Sequence, residues 1–484
     1  MNYVARWDGG WHPMPDGNGF RGSYVNAGVV FDDGTGPALY LAGSFISGGA
    51  TAAKSVIKFD GKAYSALGPG FHGGDVNSLA VFDDGGGPKL YAGGTFYQSA
   101  PTGLSWLAKW DGASWSTVGT GGPDGSIYAM LAIDTPASPP VLAVAGGFQT
   151  IGNGVIPSGR VAFWNGTAWS TPPTSPTLNP VRALAHRFTR LGPTLFAGGV
   201  PTFGGSASWV HHAAGWSSIP GAQFSTVSDF AIFDDGTGPA VYAGGSAHLS
   251  SPGNSLAKFT NSGWSTVPGA IPAITALTTY DDGTGSALYA GASFATGGGM
   301  APSNVARWSG SSWSDLGAGV DGPIPFGTSG VGVGVLIPFD DGNVPALYAG
   351  GTFSFAGSNL SSLIARWAPP RPAISFSQPG PGALLVTSSG LLPGHTYHNV
   401  FSLEICGVIG SGPYLGLCAS DPNTLLDQFY LPLGTLPFHF TQTAPVQTFG
   451  PYPVPAGVTF DALSFDVTGN ALGCLSAVRR WTTQ

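Results

Sequence analysis

The chain is short of charge. Only 9% of its 484 residues are Asp, Glu, Lys or Arg, against roughly 25% in ordinary soluble domains. Lysine occurs at six positions (54, 58, 62, 89, 109 and 258), and Glu404 is the sole glutamate, so the acid is almost all aspartate. Lys and Glu favour helices whereas Asp favours turns, and this deficit argues for an all-β protein. The net charge is −8 and the basic residues are scattered, which makes nucleic acid or an anionic membrane an unsuitable partner. No apolar run is long enough to span a bilayer. The opening MNYVARWDGG has neither a positive start nor an apolar core, so it is not a signal peptide. An export signal removed from the chain, or a longer parent chain, accounts for that. Cysteine is nearly absent too, with Cys406, Cys418 and Cys474 all near the C-terminus.

What is abundant is glycine and proline, 78 and 41 residues, set among 43% hydrophobic residues. An aperiodic mixture of this kind would read as low complexity. Here it is periodic. The stretch FDDGTGPALYLAGSF (31–45) returns as FDDGGGPKLYAGGTF (82–96), FDDGTGPAVYAGGSA (233–247), YDDGTGSALYAGASF (280–294) and FDDGNVPALYAGGTF (339–353). Eroded copies at 132–148 and 186–200 complete a set of seven. A second beat ending in an aromatic residue precedes the first copy, at Trp11, and follows each of the first six, at Tyr64, Trp115, Trp169, Trp216, Trp264 and Trp313. Each unit of roughly 50 residues parses into four strands, with Asp-Gly, Asn-Gly or Ser-Gly turns between alternating apolar runs. Four strands at this period predict the blade of a β-propeller. The Ala-Gly-Gly end of the second strand suits close approach of blades near the narrow inner end. The repeated aromatic suits the wide outer end, where its burial contributes about 2–3 kcal/mol.

The order strand, hairpin, strand ending in Gly-Gly, long loop, aromatic strand and Trp resembles a kelch-type blade over about 1–370. It departs from that pattern in the DDGTGP hairpin, and two copies, at 31–45 and 280–294, have Gly-Ser and Gly-Ala for Gly-Gly. The resemblance implies the fold and carries no kelch partner. The style of FDDGTGPALYAGG with ARWDG also resembles secreted repeat proteins of planctomycete-type bacteria. The expected architecture is a seven-bladed kelch-like propeller at 1–367, a linker APPRP at 368–372 and a small β-sandwich at 373–484. The wording of that last segment, HNVFSLEICG and LGCLSAVRRW among others, resembles a C-terminal module of exported proteins and implies no chemistry.

Counting strands exposes a mismatch at the ends. Seven first strands accompany eight ARW-type strands, because LIARW (363–367) repeats the Val4, Ala5, Arg6, Trp7 stretch and then runs into proline. The last blade lacks an outer strand, which the hairpin 3–14 is available to supply. Joining the ends in this way removes exposed edges. A surplus strand could also add an outer fifth strand, begin an eighth blade or pair with a second molecule.

The candidate sites each have an ordinary reading. The Asp pairs 32/33, 83/84, 234/235, 281/282 and 340/341 could hold calcium, but each pair belongs to a different blade and DDG suits a turn. The histidines lack the spacing or companions of a metal site. Cys406 and Cys418 flank a hairpin-sized loop and are expected to form a disulfide if the protein is exported, with Cys474 left free and buried or pairing with one of the two instead. A chain without cysteine in its repeats cannot carry the Cys–Tyr cofactor of a kelch-scaffold copper oxidase, and no catalytic, cofactor or metal site is expected. The loops after each Gly-Gly are Gly/Ser/Thr-rich, with Tyr97 and Phe355 as their few aromatics. The expected function is a non-catalytic extracellular structural or interaction protein, self-assembling into a filament or surface layer. Its partners are then other copies of itself, glycans or cell-surface components. A carbohydrate-binding or adhesion module using the loop face is the alternative.

Overall fold

The computed structural model describes residues 11–484 apart from 13, 15–18, 98–104, 136–137, 190–191, 203–205, 213–214, 220–223, 248–254, 261–262, 268, 270–272, 283, 295–303, 318, 322–330, 342–344, 358, 369–371, 392–394, 407–408, 410–413, 416, 422, 443–445, 467–475 and 477. The chain is almost entirely β-strand. One compact unit spans Trp11–Ala368, and Pro369–Gln484 belongs to a second.

The first unit repeats one antiparallel sheet of four strands. In sheet 2 these are Val76–Asp83, Pro88–Tyr97, Ser105–Trp110 and Trp115–Ser116, paired in chain order. The same order recurs in sheet 1 (20–66), sheet 3 (127–170), sheet 4 (178–218), sheet 5 (224–266), sheet 6 (274–315) and sheet 7 (331–367), the last two joined where Ser293 pairs with Gly332 and Phe294 with Val331. Sheet 7 takes its fourth strand from the other end of the chain: Trp11 pairs with Trp367 and His12 with Arg366, antiparallel. The expected closing strand Val4–Trp7 lies outside the described residues, so the pairing belongs to the second half of the hairpin 3–14.

The first strand of each sheet packs against the first strand of the next, and that of sheet 7 packs against that of sheet 1. The cores lie between sheets. Tyr40 and Ala42 of sheet 1 share one with Leu79, Leu90 and Trp115 of sheet 2, and Ala129 and Ala145 of sheet 3 share another with Val181 and Ala197 of sheet 4. The small residue at the end of each second strand makes this possible. A Cβ on Gly93 of sheet 2 would lie 2.6 Å from the Ile127 side chain of sheet 3, and one on Gly350 of sheet 7 would lie 2.6 Å from Val25 of sheet 1. Any larger side chain there would force the sheets apart.

Among its described residues, the second unit holds two antiparallel sheets and one helix, Asn423–Phe429. One sheet has the order Ala373–Gly380, Ala383–Ser389, Val446–Pro453; the other has the order His439–Thr441, Thr396–Ser402, Thr459–Asp466, Arg479–Thr482. Ile374, Leu384 and Val386 of the first share a core with Phe460 and Ala462 of the second.

Candidate functional site

The Asp-Asp-Gly turns give their two carboxylates different work. The first Asp is the turn residue. Asp32 Oδ1 accepts from the backbone N–H of Gly34 at 2.8 Å and of Gly36 at 3.0 Å, and Asp83 and Asp234 repeat both bonds. The second Asp ties three strands together. Asp33 accepts from the Tyr40 hydroxyl (2.8 Å) on the second strand and from the Lys58 ammonium (2.6 Å) on the third. Asp84 does the same with Tyr91 (3.1 Å) and Lys109 (2.5 Å), and Asp235 with Tyr242 (2.8 Å) and Lys258 (2.6 Å). In sheets 6 and 7 arginine replaces lysine: Asp282 meets Tyr289 at 2.8 Å and Arg307 at 3.2 Å, and Asp341 meets Tyr348 at 3.0 Å and Arg366 at 3.0 Å. Burial pushes the Asp33 and Asp235 carboxyls up, but hydrogen bonds from the lysine, threonine and tyrosine beside each outweigh it and hold both well below the usual carboxylate range. Burial first, then the adjacent Asp, pushes the Tyr40 and Tyr242 hydroxyls up.

Sheets 3 and 4 lack all three members of this hub at once. The strand registers place Thr135, Ala143 and Phe163 at the Asp, Tyr and Lys positions of sheet 3. Thr189, Phe196 and Val210 hold them in sheet 4. A buried cation without its carboxylate is costly, so the three are kept or lost together. This hub was legible only by comparing the repeats column by column, because each member lies in a different strand.

A second feature recurs in every sheet. Each first strand carries a β-bulge opposite the end of the second strand, between Val25 and Ala27, Val76 and Ser78, Ile127 and Ala129, Val181 and Ala183, Val227 and Asp229, Ile274 and Ala276, and Val333 and Val335. The inserted residues are Asn26, Asn77, Tyr128, Arg182, Ser228, Thr275 and Gly334. The frame around them repeats and they do not. Bulges re-aim side chains and favour functional sites. Neighbours along this row touch: Asn26 Nδ2 donates to Asn77 Oδ1 at 3.5 Å, Asn77 Nδ2 donates to the Ile127 carbonyl at 3.2 Å, and the Arg182 guanidinium lies 5.6 Å from the centre of the Tyr128 ring. Just before the row, the Tyr24 hydroxyl donates to Asp75 at 2.5 Å. Just after it, half-buried Asp229 accepts from the N–H of Leu277 on sheet 6 at 2.7 Å and of Phe230 at 2.8 Å. Burial pushes the Asp229 carboxyl up to about 7 despite those two bonds. A cavity of about 230 Å³ opens where the row is smallest, lined by residues 24–26 of sheet 1, Thr275 of sheet 6, and residues 332–334 and 351–352 of sheet 7.

The repeated aromatics are latches between sheets as well as filler. The indole N–H of Trp115 donates to the Leu67 carbonyl of the preceding sheet at 3.0 Å, that of Trp169 to Val118 at 3.3 Å, and that of Trp11 to Leu316 at 2.8 Å. Trp264 reaches Ser208 Oγ of sheet 4 at 2.8 Å. Trp216 is buried; Tyr64, Trp169 and Trp313 are partly so. Among the histidines, His211 packs on Trp216, its ring centre 5.1 Å away, and His398 stacks on His439 at 3.9 Å. No group of three or more His, Cys, Asp or Glu placed to hold a metal ion occurs among the described residues, and no described helix is long and apolar enough to cross a membrane. Cys406 and Cys418 are bonded, with Cα atoms 5.4 Å apart, and Cys474 lies outside the described residues. The chain matches no protein-family model, and no curated protein matches it.

Proposed function

We propose that this chain is a non-catalytic structural or interaction protein of the extracellular space or cell surface, built on a seven-bladed kelch-like β-propeller followed by a small β-sandwich. The cyclic packing of first strands and the pairing of Trp11–His12 with Ile364–Trp367 support the closed ring. The bonded pair Cys406–Cys418 supports an oxidising compartment. The observation that carries the reading is the internal use of charge. In five sheets the carboxylate best placed for chemistry is held by a tyrosine and a lysine or arginine of its own sheet, which leaves a rigid frame rather than an acid–base pair.

Assembly into a filament or layer, through strand pairing and docking, remains part of this proposal. The described N-terminal strand completes the chain's own last sheet, which favours docking of whole faces, while the Val4–Trp7 stretch lies outside the described residues. A surface low in charge offers little repulsion to such docking. Sedimentation velocity over a wide concentration series tests it. Concentration-dependent association that survives deletion of residues 1–7 supports face docking, and a persistent monomer removes self-assembly and leaves binding of unlike partners.

A further inference from the structure

The seven sheets of the first unit stand side by side in the same sense. The end of each second strand meets the start of the next sheet's first strand: a Cβ on Gly198 would lie 2.4 Å from Val227, one on Gly244 2.4 Å from Ile274 and one on Gly291 2.6 Å from Val333. The Asp-Asp-Gly turns therefore gather on one rim and the loops after the second strands on the other. The turns between third and fourth strands join the first rim, since a Cβ on Gly166 would lie 2.6 Å from the Asp84 carbonyl oxygen and one on Gly310 3.0 Å from the Asp235 side chain. The two rims use charge in opposite ways. On the turn rim the cations are engaged internally: Lys58, Lys109, Lys258, Arg307 and Arg366 are each held by the second Asp of their own sheet. The first aspartates, Asp32, Asp83, Asp234, Asp281 and Asp340, stay exposed, as do Asp60 and Asp111 in the turns beside them. Against them, among the described residues, Lys62 is the one exposed lysine or arginine of this rim. On the loop rim it is the cations that stand alone. Arg21, Lys54 and Arg182 are exposed, and neither they nor Arg160 form an ion pair among the described residues. Three aspartates here are bonded within the rim: Asp75 accepts from the Tyr24 hydroxyl, Asp124 from the Gln149 and Thr150 N–H groups and the Thr150 hydroxyl, and Asp229 from two backbone N–H groups. Asp315 lies farther out, on the fourth strand of sheet 6. Of the eight large apolar side chains that stand exposed among the described residues of this unit, six belong to the loop rim: Ile46, Tyr97, Val155, Ile156, Phe355 and Leu360, with Val155 77% and Leu360 69% exposed.

We propose that the loop rim docks on the turn rim of a second copy of this chain, so that copies stack head to tail. This rests on the self-assembly reading above and names its two surfaces. Charge selects the pairing. Two turn rims in contact would oppose their aspartates, and like charges across an interface are strongly unfavourable. Two loop rims would bury apolar surface but set four cations against four. A loop rim on a turn rim brings Arg21, Lys54, Arg160 and Arg182 to exposed aspartates and covers the exposed apolar side chains in the same contact, as a specific interface does. The contact is heterologous. Each copy keeps one free rim of each kind, so growth continues into a filament unless the rotation between copies closes it.

Sedimentation velocity on the full chain over a wide concentration series, at low and high sodium chloride, tests it with two variants. D32N/D83N/D234N removes three charges from the turn rim, while each asparagine keeps an oxygen that accepts from the turn N–H groups. R21E/K54E reverses two charges on the loop rim. K54E alone serves the same purpose if that variant does not fold, and unchanged thermal unfolding shows that the frame is intact. The unaltered chain is expected to grow beyond dimers and to associate less as salt rises. Each variant alone is expected to associate about tenfold more weakly. Their equimolar mixture is expected to recover association but to stop at pairs, because only the native turn rim of one variant and the native loop rim of the other fit. Growth of the unaltered chain that ends at dimers, or a turn-rim variant that associates as strongly as the unaltered chain, would indicate loop rim against loop rim and overturn the proposal. Association that neither variant changes would overturn it and leave self-assembly standing on another surface. An unaltered chain that stays monomeric throughout would overturn both.

Discussion

Asp229 and Asp235 sit in one strand and the turn that follows it, and their surroundings pull them in opposite directions. Asp235 is held by Lys258 and Tyr242, and its carboxyl is lowered. Among the described residues Asp229 meets two backbone N–H groups, and burial raises it to about 7. The consequences for stability have opposite sign. A lowered carboxyl stabilises above its unfolded value of about 3.9, and that contribution fades as pH falls towards the folded value. A raised carboxyl binds its proton more tightly in the folded state, so stability falls as pH rises from about 4 to about 7. Alanine occupies the Asp229 position in sheets 1, 3, 4 and 6, at Ala27, Ala129, Ala183 and Ala276. D229A is therefore expected to gain on the parent as pH rises, its melting temperature comparing more favourably at pH 8 than at pH 5. A difference that is flat with pH would show that Asp229 is not titrating in this window.

The Asp235 hub makes a separate prediction at the same scale. D235N strands the Lys258 ammonium in a half-buried position and is expected to cost about 1–3 kcal/mol in chemical denaturation. The triple variant D235T/Y242F/K258V copies the residues that sheet 4 carries at these positions. It removes more hydrogen bonds, yet it leaves no unpaired charge, so it is expected to be less destabilised than D235N alone. A triple variant worse than the single one would mean that the three contacts act independently.

At the scale of the element, the repeat made most of the frame legible. DDG between apolar runs announces a hairpin, and the recurring Trp announces the fourth strand; both depend on neighbours in sequence. Two things were hidden for a physical reason. The indole of Trp115 meets Leu67, 48 residues away, and the bulge residues differ from repeat to repeat, so periodicity passes over them. The candidate cavity is formed by residues 24–26, 275, 332–334 and 351–352, and no local pattern joins those positions. The latch can be weighed by W115F, which keeps an aromatic ring against Phe71, now 4.7 Å from the indole, but removes the donor and leaves the Leu67 carbonyl only the longer bond from the Gly70 N–H at 3.4 Å. A loss of about 0.5–1.5 kcal/mol is expected. W313F is the control, since the Trp313 N–H has no hydrogen-bond partner among the described residues. Its cost should be smaller, and equal costs would reduce the latch to packing.

At the scale of the molecule, everything converges on how the first unit shuts. Six junctions between sheets are covalently continuous, whereas the last sheet depends on a strand from the other end of the chain. That strand is short, two residues in register with Arg366 and Trp367, and its hold comes from Trp11, which is buried among Leu316, Leu347 and Trp367 and donates to Leu316 at 2.8 Å. The strand is thus anchored by one side chain more than by its ladder. W11A removes that anchor and is expected to cost about 3–5 kcal/mol, expressed in the unfolding of the 11–368 unit. It also uncovers the edge of Ile364–Trp367, and an uncovered edge pairs with other chains. W11A should therefore lower the melting temperature and raise concentration-dependent association together, in parallel sedimentation and calorimetry. Adding a synthetic peptide of residues 1–14 in trans should reverse both effects, because it restores the missing strand without altering the frame. Association that rises without loss of stability, or that the peptide leaves unchanged, would show that the seventh sheet does not depend on this strand for its closure.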